Sequence, residues 1–198
     1  PGILKTARFG YDGKGQVHVG EQDELLSSVK DLTNSQYILE KKVPLDTELS
    51  IIIVRDKDGN IASYPLAENR HENGILAESV MPANVSVDVH KLAFTYGERI
   101  VKQLDYVGVL TVEFFLSNGN LLFNEMAPRP HNSGHQTINA SVTSQFEQQV
   151  RICAGLPIGD TTLKYDARLE NVLGDLWFSN NNDQPREPNW EKLTGGVK

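Results

Sequence analysis

Two prolines standing two positions apart place the tightest constraint on this chain. Pro128 and Pro130 fall within Asn124-Glu125-Met126-Ala127-Pro128-Arg129-Pro130-His131-Asn132-Ser133-Gly134-His135. Each removes a backbone donor, fixes φ and biases the preceding residue away from the helical region. The segment is therefore expected to be a stiff, non-helical loop. A core strand or helix would not accommodate its arginine, two histidines, asparagine and serine. On a rigid loop these groups suit an anionic ligand.

The residues before this loop read as a hairpin. Strands are expected over 107–116 and 121–126, joined by Ser117-Asn118-Gly119-Asn120. Asn-Gly is the strongest short-range hairpin signal. A loop centred on Gly119 sets Glu113 opposite Glu125, on one face, with Cβ atoms roughly 5 Å apart. Two like charges there repel, and a divalent cation would relieve the repulsion. Carboxylates with nucleotide phosphates form the usual Mg2+ shell. The alternative is a glutamate pair on a solvated face; the apolar neighbours and the adjoining polar loop favour the metal pair. A loop shifted by one residue pairs Glu113 with Asn124, which still supplies an oxygen.

Near the start, Gly2-Ile3-Leu4-Lys5-Thr6 and Val17-His18-Val19 read as strands flanking Arg8-Phe9-Gly10-Tyr11-Asp12-Gly13-Lys14-Gly15-Gln16. Gly10, Gly13 and Gly15 let the backbone turn tightly and aim N–H groups at phosphate. Lys5 and Lys14 add positive charge. No helix follows directly, so this is neither the Walker pattern nor the dinucleotide fingerprint. An ordinary Asp-Gly hairpin turn explains the loop almost as well. Further on, an apolar strand from Tyr37 runs into a polar connector, Glu40-Lys41-Lys42-Val43, and a second strand is entered through Glu48. Such connectors present backbone groups to an adenine edge, and a nearby carboxylate can bind ribose hydroxyls. Taken alone, a surface loop is the simpler account.

Helical spacing of Leu25, Leu26, Val29 and Leu32 predicts a helix over 22–32. Val89, Leu92, Ala93, Tyr96, Ile100 and Leu104 predict another over 82–104, opened near Pro82. A third, around 141–154, should stop at Gly155-Leu156-Pro157. A strand is expected over 173–178, then a polar turn over 180–185. Cys153 excludes an internal disulfide and reads as a packing residue on the third helix. A net charge of −7 argues against a nucleic-acid-binding surface. No apolar run approaches membrane-spanning length and no signal peptide is visible, which fits a cytoplasmic setting. His18 and His90 read as structural or surface residues.

In this order the glycine-rich loop, the connector and the carboxylate hairpin resemble the ATP-grasp superfamily. The resemblance is closest to its N5-carboxyaminoimidazole ribonucleotide synthetases. It is carried by 8–16, by Glu48-Leu49-Ser50, by Tyr64-Pro65 with Glu68-Asn69-Arg70-His71, and by 124–135. Thr143-Ser144-Gln145-Phe146-Glu147 and Gly155-Leu156-Pro157-Ile158-Gly159 add to it. An α+β ATP-grasp fold is implied. It would comprise a small lobe over 1–70, a large lobe over 71–165 and the start of a β-rich domain over 166–198. Such enzymes begin with a further domain of about a hundred residues, within ordinary domain size. The resemblance therefore implies an internal fragment that alone binds nucleotide weakly without turnover.

The implied activity is carboxylation of 5-aminoimidazole ribonucleotide with bicarbonate and ATP, through carboxyphosphate, in purine synthesis. The resemblance implies Mg2+ on Glu113 and Glu125. It implies ATP contacts from Lys5, Gly10, Tyr11, Asp12, Gly13, Lys14, Gly15, Gln16, Glu40, Lys41, Lys42, Val43, Glu48, His71, Asn124 and Glu125. Tyr11, Asp12, Lys14, Arg129, His131, Asn132 and Ser133 would contact substrate. Asp12 would do acid–base work, and Arg129 and His131 would hold bicarbonate or the intermediate. A homodimer is implied as well. Two other readings remain: a different ATP-grasp ligase, such as a formate-dependent glycinamide ribonucleotide transformylase or a biotin carboxylase, or a non-catalytic nucleotide-binding module. The run Arg129-Pro130-His131-Asn132-Ser133-Gly134-His135 argues against biotin carboxylase.

Overall fold

The central strand explains the architecture. Thr-Glu-Leu-Ser-Ile-Ile-Ile-Val-Arg forms β4 (Thr47–Arg55), a nearly continuous apolar run buried from Leu49 to Val54. Runs of this kind are covered on both faces. Leu49, Ile51 and Ile53 point into one core, with Leu110, Val112, Phe114, Ala93 and Val101. Ile52 and Val54 point into a second core, with Tyr64, Ala67, Met81 and Val109. The two-residue period of a strand thus divides one sequence between two cores.

A computed structural model describes residues 1–7, 15–20, 36–178 and 184–193. The loop segment 8–14, the helix expected over 22–32 and most of the turn over 180–185 lie outside them. Among the described residues two sheets form. The small one has β1 (Gly2–Thr6) between β2 (Gln16–Val19) and β3 (Tyr37–Lys41), all antiparallel. In the large sheet the order is β10-β7-β6-β4-β8-β9, with β5 (Ile61–Ser63) paired to β4. Its other strands are β6 (Ala67–Glu72), β7 (Ile75–Met81), β8 (Gly108–Ser117), β9 (Asn120–Ala127) and β10 (Ala167–Glu170). Residues 47–70 therefore belong to the large sheet, and the strand after 165 extends its edge. The lobe limits expected at 70 and 165 do not follow sheet membership.

Helix α1 (Val87–Gln103) covers the first core. Ser86 caps it by accepting the Val89 N–H, and Asp88 and Lys102 complement the helix dipole. It starts five residues later than expected, because Pro82 still lies in the chain leaving β7 and the cap sits at Ser86. On the other face lie α2 (Thr137–Ala140) and α3 (Gln145–Cys153); the single helix expected over 141–154 begins only at the Ser144 cap. Gly155, at φ +68°, ends α3 as expected. Two further expectations fail. Residues 173–178 form no strand; Gly174–Phe178 is a 3-10 turn. Cys153 is exposed rather than packed, and its Sγ accepts from Gln149 Nε2 at 3.3 Å.

The β8–β9 hairpin shows why register matters. Its turn is the two-residue Asn118-Gly119, both at positive φ (48° and 74°), with Ser117 opposite Asn120. The loop is therefore not centred on Gly119. Continued unbroken, this register would set Glu113 against Asn124. A bulge between Glu113 and Phe114 absorbs one residue of β9, and Glu113 faces Glu125 after all. The expected pair forms, for a different reason.

Candidate functional site

The β8 face opposite α1 carries the polar groups. Glu113 is buried there and faces Ser50 of β4 on one side and Glu125 of β9 on the other. Partial burial and the Glu113 carboxylate raise Glu125 above the ordinary carboxylate range, against the pull of Lys5, His131 and His71. The small sheet meets this hairpin through Lys5. Its Nζ donates to Asn124 Oδ1 at 3.1 Å and pairs with Glu40 Oε2 at 2.8 Å. The connector after β3 is tied to the same hairpin, since Asp46 N donates to Leu116 O and Asp46 Oδ2 accepts from Gly119 N. Lys5, Glu40, Asn124, Glu113 and Glu125 are thereby gathered at one junction.

The proline-rich segment then turns back over this face. Arg129 is exposed, and its Nη1 donates to Pro130 O at 2.9 Å. His131 is buried, with Nε2 3.0 Å from Glu113 Oε1 and Nδ1 2.9 Å from Ser133 Oγ. Gln145 clamps its peptide groups: Oε1 accepts His131 N–H at 2.9 Å and Nε2 donates to His131 O at 2.6 Å. Asn132–Gly134 is a short 3-10 turn, so the loop is stiff but not wholly non-helical. Asn132 is half-buried, and its Oδ1 accepts Ser133 N–H. Ser133 is fully buried, its hydroxyl bonded to Ser50 and His131.

Glu48 and His71 form a second pair at the β4–β6 end of the sheet, Oε2 to Nδ1, 2.5 Å apart. Burial pulls His71 down, but Glu48, with Glu113 and Glu125 further off, outweighs it and holds the imidazole above its ordinary value. A histidine raised on folding contributes stability that is complete below its unfolded value of about 6.5 and is lost as pH rises through the folded one. Urea midpoints measured across neutral pH should therefore fall with rising pH, and His71→Gln should flatten that fall. An unchanged slope in the variant would refute the pairing.

Of the remaining expected site residues, Lys41, Lys42 and Val43 lie at the end of β3 and in the connector, while Gly15 (φ +78°) and Gln16 open β2. Gly10, Tyr11, Asp12, Gly13 and Lys14 lie outside the described residues. Sequence reasoning missed a buried polar cluster under the loop: Ser50, Asn69, Ser79, Gln136 and Gln145. Ser50 interrupts an apolar run, and Gln145 follows a helix cap. Those were the available signals.

A lysine and an asparagine at a junction of two sheets, and a carboxylate hairpin beside a polar loop, belong here to a chain of a known class. A family described as "ATP-grasp domain" matches residues 1–146, and the chain belongs to it. Among curated relatives, the N5-carboxyaminoimidazole ribonucleotide synthase of Brucella melitensis is 49% identical over 177 residues. That match covers 88% of this chain and 49% of the relative. A solved N5-carboxyaminoimidazole ribonucleotide synthetase from Thermus thermophilus superposes with a TM-score of 0.81 at 46% identity, covering 88% of this chain and 47% of that one. The synthase of Aspergillus clavatus, solved with ADP and 5-aminoimidazole ribonucleotide, gives 0.79 at 31% identity over 88% and 46%. The chain spans about half the length of the curated relatives it matches. Among the described residues no helix is long and apolar enough to cross a membrane.

Proposed function

We propose that this chain carries the nucleotide and bicarbonate half-site of an ATP-dependent ligase that carboxylates 5-aminoimidazole ribonucleotide. The observation that carries the reading is the convergence of Lys5, Asn124, Glu113, Glu125 and His131 at the junction of the two sheets. A bicarbonate oxygen attacks the γ-phosphorus and ADP leaves. The resulting carboxyphosphate releases phosphate, and its CO2 is taken up by the amine of the ribonucleotide, which loses a proton. Catalysis of this kind is mostly positioning and charge stabilisation. Lys5, with the connector 40–43, would hold the nucleotide; Glu48 would bind ribose hydroxyls, and His71 would contact the nucleotide beside it. Arg129, His131 and Asn132 would hold the bicarbonate side. Asp12, with Tyr11 and Lys14, is assigned to the amine and the substrate phosphate by family resemblance alone. A cytoplasmic homodimer belongs to the same reading.

The donor set fits a hard divalent cation. Two opposed carboxylates, one raised by partial burial and by the other's charge, are what a bound Mg2+ would relieve. Among the described residues no cluster of three or more His, Cys, Asp or Glu could hold a metal, so the remaining ligands would be phosphate oxygens and water. When bound, the ion would shield phosphate charge. Glu113→Gln and Glu125→Gln should each weaken Mg·ATP binding about tenfold or more, the loss of one charge-assisted ligand. Titration of nucleotide with and without Mg2+ checks this, and parent-like affinity in both variants would remove the carboxylate pair from the site.

The activity itself is tested by phosphate release from ATP in the intact protein. Release should require bicarbonate and rise with 5-aminoimidazole ribonucleotide. Dependence on formate instead, with no response to bicarbonate, would replace this reading with that of a transformylase.

A further inference from the structure

Beneath the Pro-Arg-Pro-His loop lies a buried run of side-chain hydrogen bonds that the chemistry above does not use. Gln136 Nε2 donates to Ser133 O at 2.9 Å and to Ser79 Oγ at 3.2 Å. Ser79 Oγ donates to Asn69 Oδ1 at 2.8 Å, and Asn69 Nδ2 donates to Ser50 Oγ at 2.9 Å. Ser50 Oγ reaches Ser133 Oγ at 2.8 Å, and Ser133 Oγ lies 2.9 Å from His131 Nδ1. All of these side chains are buried.

The direction of the run is set at the Gln136 end by a peptide carbonyl, which cannot change role. There the Ser133 carbonyl can only accept, so the Gln136 amide must turn its Nε2 toward it. Nε2 also donates to Ser79, whose one hydroxyl proton has two acceptors, Asn69 Oδ1 at 2.8 Å and Ser133 O at 3.2 Å; the shorter bond carries the run on to Asn69. Each hydroxyl accepts one bond and passes one on, through Asn69 and Ser50 to Ser133. At the other end the Ser133 N–H, which can only donate, goes to Asn132 Oδ1 at 3.0 Å and makes a longer, secondary approach to His131 Nδ1 at 3.4 Å. The Ser133 hydroxyl, accepting from Ser50, therefore calls for an Nδ1 that accepts, and the secondary N–H approach agrees with it. The ring proton must then sit on Nε2, 3.0 Å from Glu113 Oε1.

We propose that Gln136, Ser79, Asn69, Ser50 and Ser133 are positioning residues that fix the tautomer of His131, so that it offers an Nε2–H donor to the anionic side of the site. This assigns the Ser133 hydroxyl to His131 rather than to substrate. The value of such a device depends on the function proposed above, where His131 serves bicarbonate; the tautomer itself does not. An Nε2–H is held toward the Glu113 carboxylate, whereas a ring with its proton on Nδ1 would turn the Nε2 lone pair to that carboxylate and be repelled by it.

The test reads the ring directly. Two-bond proton–nitrogen correlation spectra of the chain, without ligand, should show His131 Nδ1 as the bare nitrogen and Nε2 as the protonated one. Asn69→Asp keeps the shape but replaces the donor to Ser50 with an acceptor, and Ser50→Ala removes one link at little change in volume. Each should cut the preference for the Nε2–H form roughly tenfold, the scale of one buried hydrogen bond. A variant that folds and keeps the parent tautomer ratio while melting lower would show that the run is only structural, and would overturn the proposal. So would an Nδ1–H signal in the parent, which decides the matter even if neither variant folds. Because these spectra need no substrate, a failed carboxylation assay would leave this result standing, and the reverse holds as well.

Discussion

Arg129→Ala should lower bicarbonate-dependent turnover by about a hundredfold while leaving ATP affinity and melting temperature close to those of the parent. The magnitude is that of losing one preorganised donor aimed at developing charge. The structure separates this residue from its neighbour. Arg129 is exposed and its guanidinium contacts only the carbonyl of the adjoining Pro130 among the bonds described, so no packing is lost with it. His131→Ala should lose turnover on the same scale but should also melt lower. It removes the ion-pair partner of buried Glu113 and one of the two partners of the Ser133 hydroxyl, which costs about 1–3 kcal/mol. Turnover, nucleotide affinity and melting measured on both variants decide between catalysis and structure. If Arg129→Ala lost all three together, the loop would be a scaffold and the bicarbonate assignment would fall.

Much of this site was legible because rigid residues announce themselves. Pro128, Pro130 and the Asn118-Gly119 turn have few conformations open to them, and each stands where its chemistry requires. The opposition of Glu113 and Glu125 was less secure than it seemed. A bulge, which depends on how β9 packs, supplied the residue that the turn geometry did not. Helix starts were misplaced wherever a serine cap, Ser86 or Ser144, overruled the hydrophobic pattern. Residues 173–178 have strand-like composition, yet local pattern cannot distinguish a short strand from a single 3-10 turn. Single members of the buried run from Gln136 to Ser133 left signals, Ser50 among them, but the run itself did not, since its members come from β4, β6, β7 and the loop after β9, and only the fold brings them within 3.2 Å of one another.

The same packing sets the largest expected effect on stability, at Gly134. A Cβ there would stand 2.1 Å from Ile52 Cδ1 and 2.8 Å from Gln145 Oε1, closer than atoms can approach. Neither neighbour can give way easily: Ile52 is in the second core and Gln145 is fully buried and bonded at both ends of its amide. Gly134→Ala should therefore destabilise by about 3 kcal/mol, the upper part of the range for overpacking. It should also displace Gln145 from His131, so turnover should drop even in protein that is folded. Gly97→Ala is the control. Its Cβ would stand 2.2 Å from Ile53 Cδ1, an equal insult, but against the core under α1 and away from the polar loop. It should cost a similar amount in urea midpoint and leave the turnover of folded protein unchanged. Equal losses of turnover in the two variants would mean that activity simply follows stability, and that the Gln145 clamp on His131 has no part in the chemistry.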